Sequence, residues 1–144
     1  MYNKVDFKVT LTIGECNGFM NSRWVVNDKC VAEITPLQSG DLDIEFSISL
    51  PSSIRIELSN KNLNTDTVVD SNGTIIQDKF MMIKNMWLAR RPIPDSVFMN
   101  MCSLKTNNNE LKTAYFGFPG VVTICFDEGD PIVWHFKHNH YKVS

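Results

Sequence analysis

Lys4-Val5-Asp6-Phe7-Lys8-Val9-Thr10-Leu11-Thr12-Ile13 is the stretch that decides the fold. Val5, Phe7, Val9, Leu11 and Ile13 alternate with Lys4, Asp6, Lys8, Thr10 and Thr12. A period of two puts the apolar set on one face of a β-strand and the polar set on the other. Gly14 ends the pattern. The same rhythm returns in 42–50, where Leu42, Ile44, Phe46, Ile48 and Leu50 alternate with Asp43, Glu45, Ser47 and Ser49 before Pro51 stops it. It returns again where Ile54, Ile56 and Leu58 alternate with Arg55, Glu57 and Ser59. A strand with one dry face and one wet face belongs to an antiparallel sheet.

Weaker strand signals lie on either side. Residues 24–34 form an apolar run interrupted at Asn27-Asp28-Lys29, which reads as a hairpin or a bulged strand. Residues 67–70 and 74–79 flank Ser71-Asn72-Gly73, and Asn-Gly is a strong hairpin signal because both positions accept positive φ. Residues 80–89 read as one long strand, since Pro92 and Pro94 follow closely and no helical stripe is clean. Segments 97–104, 113–118, 121–126 and 132–138 complete the set, with turns at Pro119-Gly120 and at 127–131. About nine short strands with almost no helical pattern predict an all-β, antiparallel β-sandwich of jelly-roll character. A closed barrel fits the alternation equally well. The whole of 1–144 reads as one domain, a length that hides roughly two-thirds of the unfolded surface.

Charge and cysteine usage narrow the function classes. Fourteen basic and sixteen acidic residues are scattered singly, and Arg90-Arg91 is the one adjacent basic pair. Counterion release needs a clustered basic face, so no nucleic-acid partner is expected. No apolar run approaches the roughly 18 residues of a membrane span, so no membrane partner is expected. The first residues show no export-signal pattern. Cys16, Cys30, Cys102 and Cys125 have no Cys-x-x-Cys spacing and are expected to be reduced, with Cys30 and Cys125 serving as small hydrophobes in apolar stretches.

The candidates for chemistry are few. Asp66, Asp70, Asn72 and Asp78 supply oxygen donors of the kind calcium takes. With Asn72-Gly73 as a tight turn, Asp70 faces Ile75, Val68 faces Gln77 and Asp66 faces Lys79. Asp66 and Asp70 then share a face about 13 Å apart, with Asp78 on the other face. The competing reading is a solvated hairpin with an Asp66–Lys79 pair, so the default is no cofactor, with calcium as the alternative. His135, His138 and His140 form a cluster suited to zinc or to a polar tail. No nucleophile motif or phosphate loop occurs, and Asp41/Asp43 or Asp127/Glu128 read as surface charge before they read as a glycosidase pair. The chain is therefore expected not to be an enzyme. Trp24, Trp87 and Trp134 lie in apolar runs and are expected in the core. Tyr115 and Phe116, in Tyr-Phe-Gly-Phe-Pro-Gly, are the candidates for a ligand groove. Met99, Met101, Leu104 and Tyr141 are the candidates for subunit contacts.

Ser-Ile-Arg-Ile-Glu-Leu-Ser-Asn-Lys-Asn (53–62), followed by Asp66-Thr67, Val69-Asp70, Gly73, Ile75 and Asp78-Lys79, resembles small β-sandwich virion proteins of T4-like and marine tailed bacteriophages. These in turn are similar to calcium-dependent, xylan-binding carbohydrate modules. The resemblance implies a structural component of a virion, in its tail, baseplate or fibre region, made in the bacterial host cytoplasm. Its partners would be other virion proteins or further copies of itself. It also carries calcium ligands onto Asp66 and Asp70. The alternative it implies is a calcium-assisted carbohydrate-binding module that grips a host glycan.

Overall fold

The computed structural model describes residues 4–138. The expected His140 and Tyr141 contributions lie outside the described residues. The strands are β1 (Lys4–Gly14), β2 (Asn21–Val26), β3 (Lys29–Ile34), β4 (Gly40–Ser49), β5 (Ser52–Ser59), β6 (Thr67–Val69), β7 (Ile75–Asp78), β8 (Phe80–Leu88), β9 (Arg91–Ile93), β10 (Ser103–Lys105), β11 (Glu110–Lys112), β12 (Tyr115–Phe116) and β13 (Gly120–Phe126). Two helices, α1 (Asp95–Met101) and α2 (Pro131–His138), join them.

One antiparallel sheet runs β12-β8-β1-β4, with β9 also paired to β8, and a second runs β11-β10-β13-β5-β2-β3. Their inner faces meet in a β-sandwich. Phe7 of the first sheet lies 5.7 Å from Phe126 of the second, and Phe46 lies 6.1 Å from Trp24. The alternation of the opening stretch is realised: Phe7, Val9, Leu11 and Ile13 are buried, and Val5 packs against them. Ile44, Ile48, Ile54, Ile56 and Leu58 join the same core. Trp24 and Trp134 are fully enclosed, as expected. Leu42 departs from its pattern and is exposed.

Two predicted strands are corrected to helices. Residues 97–104 divide between α1 and the short β10, and residues 132–138 are α2. Asp130 caps α2 by accepting the Ile132 amide at 2.8 Å, and Pro131 occupies the first helical position. That Asp-Pro pair is a helix-start signal, which the apolar run after it hides. Helix α1 buries Phe98 and packs Val97 and Met101 on the core.

The thiols are also redistributed. Cys16 and Cys102 are buried while Cys30 and Cys125 are exposed, all four free. Cys125 alternates with inward-pointing Ile124 and Phe126, so strand parity turns it outward. Burial pushes the Cys102 thiol up to about 12, which keeps it protonated and unreactive. Of the expected subunit-contact residues, Leu104 is fully buried and Met99 is half-exposed.

Candidate ligand-binding face

The outward residues of β1 are Asp6, Lys8, Thr10 and Thr12. Across β4 they face Ser47, Glu45, Asp43 and Asp41. Across β8, Lys8 faces Trp87, Thr10 faces Asn85 and Thr12 faces Met82. Lys84 has no partner in this register, because a β-bulge sits where Thr10/Leu11 meet Asn85/Ile83. The bulge resets the parity of β8. Before it the odd-numbered Met81 and Ile83 point inward; after it the even-numbered Met86 and Leu88 do. Trp87 is therefore turned out of the core onto the sheet's open face, contrary to the expectation from its apolar neighbours.

The indole is half-buried and stands between two hollows. One, of about 310 Å³, is lined by Asp6, Lys8, Glu45, Trp87 and Arg90. The other, of about 320 Å³, is lined by Trp87 together with Asn85, Pro92, Pro94 and Asp95. The Lys8 ammonium lies 4.7 Å from the Trp87 ring centroid, a cation–π contact that steadies the ring. The charges on this face largely pair off, with Lys84 2.7 Å from Asp41, Lys8 3.8 Å from Asp43 and Arg90 3.3 Å from Asp6. Thr10 and Thr12 donate to Asp43 and Asp41 at 2.6 and 3.0 Å.

Arg90 is presented by a two-residue turn between β8 and β9 in which Ala89 and Arg90 have φ of 52° and 66°. Left-handed φ in non-glycine residues costs roughly 1–2 kcal/mol each. Here the Ala89 amide donating to Asp6 O at 2.7 Å and the Arg90–Asp6 ion pair hold the turn in place. The turn thus brings an exposed cation to the rim of the groove beside Trp87.

A second polar constellation ties the β6–β7 hairpin to the sandwich. The hairpin is longer-looped than expected: Gly73, at φ 82°, donates its amide to Asp70 O, and Asp70 donates to Thr74 O. Val68 faces Gln77 as predicted, but Val69 rather than Asp70 faces Ile75, because Ile76 bulges out. Lys79 meets Asp66, also as predicted, with Nζ 2.9 Å from Oδ2. The pair is not solvated: both side chains are almost completely buried. Lys61, equally buried, reaches Asp78 Oδ1 at 2.7 Å and the Gly117 carbonyl at 2.6 Å. Sequence reasoning passed over Lys61, which sits in a polar loop with no local sign of burial.

Asp66 takes the Asn62 amide and the Lys79 ammonium on Oδ2 and the Thr65 hydroxyl and Asn17 amide on Oδ1. These contacts, the Asn62 amide first and Lys79 next, hold its carboxyl well below the usual range. Asp70 is spent within its own turn, accepting the amides of Asn72 and Thr74 at 2.8 and 3.0 Å. Burial raises the Asp78 carboxyl, but hydrogen bonds from Lys61, Thr67 and Tyr115 outweigh it and leave it lowered. Tyr115 is partly exposed, with its ring stacked on Phe80 and its hydroxyl donated to Asp78. Burial first, and then that carboxylate, push its phenol up. Phe116 is corrected as a ligand candidate: it is 1% exposed and belongs to the core.

A calcium ion does not fit these donors. A carboxylate offers about four lone-pair sites, and the four donors to Asp66 use them all. Asp78 accepts three donors of its own. Calcium wants six to eight oxygens, and among the described residues no group of three or more His, Cys, Asp or Glu gathers to hold a metal. His135 and His138 do not converge either. His135 is buried with Nε2 2.8 Å from Leu88 O, and His138 stacks on Trp134 and reaches Asp127 at 3.1 Å. The described carboxyls that depart from their ordinary value all depart downward. Lys84 and Thr12 hold Asp41 down, and Arg23 holds Glu57 down, whereas a general acid for glycoside cleavage needs a raised carboxyl. No helix of the described residues is long and apolar enough to cross a membrane.

No family model matches the chain, and no curated protein matches it. Two solved structures do. One is the selenomethionine form of vCBM60, described in connection with a circular permutation linking two families of calcium-dependent carbohydrate-binding modules. It is 14% identical, with 85% of this chain and 91% of that chain covered at a TM-score of 0.56. The other is vCBM60 in complex with galactobiose, 16% identical over 83% of this chain and 97% of that chain, at a TM-score of 0.54. At these identities the likeness is one of fold.

Proposed function

We propose that the protein binds carbohydrate without transforming it, on the open face of the β12-β8-β1-β4 sheet. The observation that carries this reading is the cross-strand row Glu45–Lys8–Trp87, with Asp6 and Arg90 at its end, around the 310 Å³ groove. A sugar offers an apolar C–H face and a rim of hydroxyls. An indole supplies the flat apolar contact, and short polar side chains supply donors and acceptors. Because the charges of this face are largely matched in pairs, a neutral oligosaccharide suits it better than a charged one. The two hollows on either side of Trp87 would accommodate successive sugar residues. The fold shared with modules described as carbohydrate-binding, one of them complexed with galactobiose, supports the same reading. On a glycan array the protein is expected to retain a neutral oligosaccharide, with galactobiose as the first probe in solution titration. A blank array together with a flat titration would remove the proposal.

One observation favours a second reading, assembly with other protein chains, of which the virion setting is one instance. The β6–β7 hairpin exposes Val68, Val69, Ile75 and Ile76, each between 37% and 63% accessible. Val68 and Val69 point to opposite faces of the strand, so both faces of this small hairpin expose aliphatic side chains, surface of the kind that marks a protein contact. If this surface joins copies of the chain, light scattering will show a mass that rises with concentration and an Ile76→Asp variant that stays monomeric. A protein that remains monomeric at high concentration argues against self-assembly.

A further inference from the structure

Two buried lysines fill oxygen-lined positions around the β6–β7 hairpin. Lys61 and Lys79 are 2% and 3% exposed at the side chain. Each ammonium is held by one carboxylate and one main-chain carbonyl: Lys61 by Asp78 Oδ1 at 2.7 Å and Gly117 O at 2.6 Å, Lys79 by Asp66 Oδ2 at 2.9 Å and Asn60 O at 2.9 Å. All four ligands are oxygens, half of them charged. A lysine ammonium is a compact point charge with three donors, and of the protein's own cations it is the one that most resembles an ion.

These contacts join segments far apart in the chain. Asp66 and Asp78 bracket the β6–β7 hairpin, Asn60 and Lys61 lie in the loop after β5, and Gly117 lies in the loop after β12. Asn17, in the loop after β1, donates to both Thr65 O and Asp66. Burying an ammonium is costly unless its partners are well placed, so such an arrangement persists only where geometry compensates. Here each carboxylate is surrounded by further donors that fix it: Asn62, Thr65 and Asn17 around Asp66, Thr67 and Tyr115 around Asp78.

We propose that Lys61 and Lys79 are tethered cations that themselves fasten the hairpin and its neighbouring loops, using the oxygens a metal ion would need, so that this chain's stability is independent of calcium. The inference stands apart from the carbohydrate reading, because its test reads melting and uses no glycan.

Thermal unfolding of the full chain is followed with added calcium and with a chelator, for the parent and for Lys61→Met, Lys79→Met and Lys79→Met/Asp66→Asn. The parent is expected to melt at the same temperature in both conditions. Each single variant strands a buried carboxylate and is expected to lose on the order of 10 °C. The double variant, which leaves no bare charge, is expected to regain part of that loss. Lys84→Met removes an exposed ion pair and serves as the control, with a shift within about 1–4 °C. A calcium-induced rise in the parent's melting temperature overturns the proposal. So does a Lys79→Met variant that melts with the parent. If one lysine variant does not fold, the other and the parent titration still decide.

Discussion

Trp87→Ala is expected to weaken glycan binding about 30-fold or more while leaving the sandwich folded. Aromatic anchors at the centre of an interface are typically worth 2 kcal/mol or more on truncation, which is the stated factor at 25 °C. The stability cost is expected to be smaller than the roughly 3–5 kcal/mol of a truncated core tryptophan, because Trp87 sits outside the core and is only half-buried. That separation is the point of the experiment. Trp24 and Trp134 are fully enclosed, so their substitution would abolish binding simply by unfolding the protein. Phe118→Ala is the matched control: it removes a surface aromatic that is 45% exposed and lies away from the groove lining. Titration of both variants against the best array ligand, with urea unfolding alongside, separates affinity from stability. Parent-like affinity in Trp87→Ala, or an equal loss in Phe118→Ala, would place the ligand elsewhere or nowhere on this sheet.

How much of this was legible in the sequence depends on whether a feature is local. The sandwich was, because strict alternation in β1, β4 and β5 specifies both strand and buried face in a few residues. The Asp66–Lys79 pairing followed from counting outward from the Asn72-Gly73 turn. The count failed at Asp70, because Ile76 bulges and shifts the register by one residue. Trp87 is expected in the core from its apolar neighbours, and a bulge overturns that expectation too. By uniform alternation with Met81 and Ile83 it points inward, and the bulge at Lys84 reverses that. A bulge arises from how two strands meet, so one strand's residues do not announce it. Helix α2 was masked by Ile132, Val133, Trp134 and Phe136, an apolar run that satisfies strand and helix patterns alike. Lys61 became visible as a buried cation only once loops from distant parts of the chain were brought together.

Acid is expected to destabilise the protein steeply below about pH 4, and the two hairpin carboxylates are expected to account for much of it. Asp66 and Asp78 both titrate below the ordinary carboxylate value in the folded chain. A depressed folded pKa means that the unfolded chain binds protons first. The associated stability is complete above the unfolded value near 3.9 and is lost as pH falls through the folded values. Protonating Asp66 or Asp78 takes the counter-charge from the ammonium group buried against it. The penalty is then a buried unpaired cation, not merely a lost surface contact. Measured as the urea midpoint from neutral pH downward, stability should fall steeply in that window for the parent. The fall should be shallower for Lys79→Met/Asp66→Asn, which has one fewer carboxylate to protonate and no stranded partner. A variant whose acid profile superimposes on the parent's would mean that the hairpin carboxylates do not govern acid unfolding, and that carboxylates elsewhere, such as Asp41 and Glu57 on the open sheet faces, do.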